Sequence, residues 1–113
     1  MGAIRSLARD LQPFAQALVD AAADAGLRPR VTSARRTAAW GRAKYRECLR
    51  RRGTRNPCKY PVAYPGTSKH EKGLAFDLVV TPLAALTDLG LLWESWGGRW
   101  GGRFKDPIHF EAP

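Results

Sequence analysis

The chain has 113 residues and only two histidines, His70 and His109, each in a polar stretch close to glycine and beside an apolar run. His70 lies in Ser68-Lys69-His70-Glu71-Lys72-Gly73, and His109 closes Asp106-Pro107-Ile108-His109. Between them, Asp77 sits inside Gly73–Val80 (GLAFDLVV), otherwise fit for a core. An ionised carboxylate there is costly unless a cation or metal pairs with it. If the turn at Gly73 folds His70 back, its imidazole and the Asp77 carboxylate converge. Two imidazoles and one carboxylate are a recurrent catalytic zinc set that leaves a fourth position for water. Water on such a metal ionises near neutral pH and supplies a nucleophile. Asp106, three residues before His109, is the candidate acid and base. The plain alternative at these spacings is a pair of solvated or capping histidines.

These side chains need elements to carry them. The alternation of Ala75, Asp77 and Val79 with Leu74, Phe76, Leu78 and Val80 predicts a strand. A last short strand is expected around Ile108, His109 and Phe110, and another at Arg28–Ser33. Ile4, Leu7, Leu11, Phe14, Leu18 and Ala22 recur at steps of three and four, predicting an amphipathic helix that Pro13 breaks or restarts and Gly26 ends. A second helix is expected from about Thr37 to Arg51, capped by Ser33 or Thr37. Pro82 starts a third, with Leu83, Leu86, Leu89, Leu92 and Trp93 as its apolar positions. The prolines and glycine of Gly53–Thr67 predict a long loop, and Trp96–Gly102 is a Gly- and Trp-rich stretch.

Composition narrows the class. The length suits one domain, residues 1–113, and no apolar run is long enough to span a bilayer, so no membrane insertion is expected. The first residues lack a continuous apolar core and a cleavage site, and do not read as a secretory signal; export by another route, or a leader outside this sequence, is expected. The net charge of +9 favours a polyanionic partner such as nucleic acid, anionic lipid or cell wall. Cys48 and Cys58 bracket a basic loop and fit either a disulfide or two free thiols.

Ser68-x-His70-x-x-Gly73-x-Ala75-x-Asp77, followed by Asp106-x-x-His109, resembles the paired signature of metal-dependent D-Ala-D-Ala carboxypeptidases and phage-type L-alanyl-D-glutamate endopeptidases. That fold group includes lysostaphin-type peptidases and hedgehog signalling domains. Thr32-Ser33-Ala34-Arg35-Arg36-Thr37 is similar to the group's Ser-x-x-Arg-Ser/Thr element, with Arg36 aligned to its arginine and Arg35 the fallback. Trp96-Gly97-Gly98-x-Trp100 is similar to the approach to the last ligand.

The resemblance implies His70, Asp77 and His109 as Zn2+ ligands, Asp106 as general base then acid, and Arg36 as clamp on the developing oxyanion. Ser68, Arg35, Trp96 and Trp100 are the substrate-contact candidates, although the tryptophans suit a small core equally well. An α+β fold is expected, a small antiparallel sheet carrying the metal site with two or three helices packed on it. The implied protein is a monomeric peptidoglycan stem-peptide hydrolase acting at the wall, periplasmic, extracellular or phage-delivered. Many carboxypeptidases of the group carry Glu where this chain has Asp106, so exo- or endopeptidase action stays open. A zinc-containing binding module without activity is the alternative, though retention of Asp106 and Arg36 speaks against it. Specific nucleic-acid binding is not expected, because it leaves Asp77 unexplained.

Overall fold

The computed structural model describes residues 2–35, 38–58, 69–70 and 72–113, for residues 2 and 38–41 the backbone alone. The N-terminal apolar series forms two helices, α1 (Gly2–Arg5) and α2 (Gln12–Asp24). Pro13 stands in the first turn of α2, where its missing N–H would have no intrahelical partner anyway. Leu11, Ala15, Leu18 and Ala22 form the buried stripe, whereas Phe14, expected on it, is 50% exposed. Its place one residue before Ala15 turns it about 100° from that residue, to the margin of the stripe. At the other end Gly26 takes φ +76°. The Leu27 N–H reaches the Ala22 carbonyl and the Gly26 N–H that of Ala23, the paired closure of a glycine-terminated helix.

Four strands, β1 (Arg30–Ser33), β2 (Ala75–Val79), β3 (Arg99–Trp100) and β4 (His109–Glu111), form one sheet in the order β1-β2-β4-β3. Every neighbouring pair is antiparallel. The sheet and its helices make the α+β class expected from the sequence, with β3 the strand that the Gly- and Trp-rich stretch concealed. Ser33 ends β1, five residues before the first described residue of α3 (Ala38–Arg51); the other expected cap, Thr37, lies outside the described residues. The helix expected from Pro82 opens as a 3-10 turn, Leu83–Ala85, and becomes α4 at Leu86–Ser95, so Leu83 is left 61% exposed.

Phe76 and Phe110 stack at 5.6 Å, and Trp93 meets Phe76 edge-on at 5.4 Å. Glycines make room for the indoles. A Cβ at Gly90 would come within 2.0 Å of the Trp100 ring, and one at Gly102 within 2.3 Å. Cys48 and Cys58 are disulfide-bonded with Cα atoms 5.5 Å apart, which decides between the two readings. Residues 53–58 carry no regular secondary structure, and the expected loop beyond residue 58 lies outside the described residues.

Candidate active site

Asp77 on β2 and His109 on β4 are direct cross-strand partners, so the antiparallel register brings a carboxylate and an imidazole together on one face. His70 arrives from the turn before β2. The Gly73 N–H donates to the His70 carbonyl at 3.2 Å and the Leu74 N–H to that of Lys69 at 2.8 Å. Gly73 has φ +71°, a conformation that glycine adopts without steric cost. Its carbonyl accepts the Ala8 N–H at 2.8 Å, and a Cβ on it would stand 3.0 Å from that nitrogen. The segment joining α1 to α2 therefore braces the turn that carries His70. The same segment holds β1, since Ser6 Oγ accepts the Arg35 N–H at 3.2 Å.

The hydrogen-bond partners assign the imidazole protons. His70 Nδ1 meets the Ala34 carbonyl at 2.8 Å, an oxygen that can only accept, so the proton is on Nδ1 and the lone pair on Nε2. His109 Nε2 meets Glu111 Oε1 at 3.0 Å, leaving the lone pair on Nδ1. In the neutral rings these two nitrogens are bare, and they face each other at 3.2 Å. Asp77 Oδ1 lies 3.4 Å from the first and 3.6 Å from the second. Three acceptors thus converge, with His70 and Asp77 buried and His109 nearly so, and mutual repulsion is relieved by a cation among them. Tetrahedral ligands about 2.0–2.1 Å from zinc stand roughly 3.3 Å from one another, close to the separations here. The residues fit a divalent metal.

Burial, the largest single influence on His109, would push its pKa down. Hydrogen bonds that the protonated ring donates to Asp77 and Glu111, with the charges of the two carboxylates, together outweigh burial and raise it above the ordinary value of 6.5. The field that favours a proton on this ring favours a metal cation equally.

Asp106 is half-buried, at the head of a tight turn whose carbonyl accepts the His109 N–H at 3.0 Å. Its own N–H donates to the Gly101 carbonyl at 2.9 Å, and the Trp100 indole N–H holds the Pro107 carbonyl at 2.8 Å. Of the two readings open for Trp100, groove and core, its 8% exposure fits the core, where Gly90 and Gly102 open a slot for its ring. Trp96 is exposed and rests edge-on against Trp93. Arg35 is exposed, next to the Ala34 carbonyl that orients His70. Arg36 and Ser68 lie outside the described residues. The sequence reading missed Glu111, buried beside His109; the signal was its place two residues along the same strand, which puts both side chains on one face.

A family model described as VanY: D-alanyl-D-alanine carboxypeptidase matches residues 4–99, a span that holds His70 and Asp77 and stops before Asp106 and His109. Among solved structures, VanYB in complex with D-alanine-D-alanine superposes with a TM-score of 0.70 at 23% identity, covering 94% of this chain and 71% of that one. A zinc(II) complex of a mutant vancomycin-resistance D,D-pentapeptidase VanY from the VanB-type cassette gives 0.69 at 22% identity, over 94% and 72%. The L-Ala D-Glu endopeptidase ChiX of Serratia marcescens gives 0.63 at 19% identity, over 99% and 84%. At these identities the likeness shows a common fold. No curated protein matches the sequence.

Proposed function

Because this chain belongs to the VanY family of D-alanyl-D-alanine carboxypeptidases, we propose that it is a zinc-dependent enzyme hydrolysing an amide bond of the peptidoglycan stem peptide. The observation that carries this reading is the convergence of His70 Nε2, Asp77 Oδ1 and His109 Nδ1, 3.2–3.6 Å from one another. These three would hold the ion. Zinc there supplies Lewis acidity and makes water a nucleophile at neutral pH.

The remaining work falls to the chain's own groups. The Asp106 carboxylate takes the proton of the attacking water and delivers it to the departing amine. Arg36, with Arg35 as the fallback, is assigned to the charge that develops on the scissile carbonyl, a contribution whose removal typically costs about 100- to 1000-fold in rate. Ser68 and Trp96 are assigned to substrate contact. The net charge of +9 suits an anionic wall, and the Cys48–Cys58 disulfide suits an oxidising compartment.

Two bonds fit the reading. The family name and the D-alanine-D-alanine bound by VanYB support removal of a terminal D-alanine. The shorter acid Asp106, as in endolysin-type relatives, together with the likeness to ChiX, supports the L-Ala-D-Glu bond. Mass spectrometry of fragments released from purified peptidoglycan by zinc-loaded protein decides, with Asp106→Asn as the paired control. Loss of D-alanine marks the carboxypeptidase and release of stem peptides the endopeptidase. Zinc binding without cleavage of either bond would refute the enzymatic reading in favour of a binding module.

A further inference from the structure

Glu111 has no part in the reaction as proposed, yet its side chain is only 10% exposed. Burial of a carboxylate is expensive unless its oxygens are engaged, and here both are. Oε1 accepts from His109 Nε2 at 3.0 Å, and Oε2 lies 3.7 Å from Lys69 Nζ. Lys69 directly precedes His70, and Glu111 follows His109 by two residues on β4. The neighbours of two metal-site histidines are thereby joined to each other on the side away from the converging lone pairs. The backbone of Glu111 is fixed as well, because its carbonyl accepts the Trp93 indole N–H at 2.9 Å.

We propose that Glu111 is a positioning residue for the metal, holding the His109 ring so that Nδ1 presents its lone pair, while Lys69 sets the orientation of the carboxylate. This role rests on the reading of the site as zinc-binding. A carboxylate behind a metal-bound imidazole fixes ring orientation and raises ligand basicity, and losing such a partner typically costs about 10- to 100-fold in metal affinity. His70 needs no equivalent, since the Ala34 carbonyl holds its ring from the other side.

The test is zinc affinity by chelator competition on the full chain, for Glu111→Ala, Glu111→Gln and Lys69→Met, with circular dichroism to confirm folding. Affinity should fall about 10- to 100-fold in Glu111→Ala and less in Glu111→Gln, whose amide oxygen still accepts the hydrogen bond. The loss should be least in Lys69→Met, which keeps the carboxylate. A second readout separates orientation from general loosening. With only two histidines in the chain, the two imidazole N–H signals of the zinc-loaded protein are separately assignable by proton–nitrogen NMR. The His109 signal should move upfield in Glu111→Gln while that of His70 stays. Wild-type affinity in both Glu111 variants, with the His109 signal unmoved, would overturn the role while leaving the zinc site standing. A wild-type protein that binds no zinc would remove the site and this role together.

Discussion

The Trp100 indole N–H donates to the Pro107 carbonyl at 2.8 Å, so a core side chain reaches into the turn between the proposed base, Asp106, and the proposed ligand, His109. Trp100→Phe keeps an aromatic ring between Gly90 and Gly102 but leaves that carbonyl without its donor. An unsatisfied acceptor and a smaller ring together should cost about 1–3 kcal/mol of stability, read by urea unfolding. The Asp106 turn loses its anchor as well, so kcat should drop more than zinc affinity. Unchanged turnover in a destabilised variant would mean that the bond serves the fold alone.

Gly101 passes close to the same turn. A Cβ there would lie 2.2 Å from the Asp106 carbonyl oxygen and 2.7 Å from His109 Cβ, and neither position belongs to the end of a flexible side chain. Gly101→Ala should therefore displace Asp106 and His109 together, lowering both zinc affinity and turnover, with a stability loss of about 1–3 kcal/mol. Parallel zinc titration and peptidoglycan assays check this; wild-type values in both would show that the backbone yields without moving the site.

Metal retention separates the roles at the centre. Asp106→Asn keeps the three converging acceptors and removes the proton carrier, so zinc should stay bound while turnover falls by about 100- to 10,000-fold. His70→Ala removes one acceptor and should lose both. Bound zinc measured by elemental analysis beside each activity distinguishes them, and an active, metal-free His70→Ala protein would sink the ligand assignment.

How much of this was legible in the sequence follows from what each feature depends on. Period-2 alternation through Asp77 and the three- and four-residue steps of α2 are local patterns, and both elements formed where expected. The facing of Asp77 and His109 depends on register between strands about thirty residues apart, which local pattern cannot supply; there the motif resemblance filled the gap. Strand β3 is only two residues long and carries no period, so the sequence marks it only as part of a Gly- and Trp-rich stretch. Trp100 was left between groove and core because its burial is decided by Gly90, ten residues upstream, and by Gly102. Glu111 was overlooked although His109-Phe110-Glu111 carries the one-face signal, since a lone acid near a chain end is ordinarily a solvated group.

Two glycines with the same backbone conformation allow the bracing of His70 to be tested against general strain. Gly73 has φ +71° and Gly26 has φ +76°, so alanine at either should cost about 1–2 kcal/mol for the left-handed conformation alone. Their surroundings differ. A Cβ at Gly26 meets nothing within 4 Å, whereas one at Gly73 stands 3.0 Å from the Ala8 backbone nitrogen and 3.3 Å from the Ser6 carbonyl oxygen. Gly26→Ala should lower the unfolding midpoint and leave zinc affinity unchanged. Gly73→Ala should lower the midpoint further and also weaken zinc binding, because the turn that yields is the one that carries His70. Equal zinc affinities in the two variants, measured by the same chelator competition, would mean that the N-terminal segment supports the sheet without positioning the metal ligand.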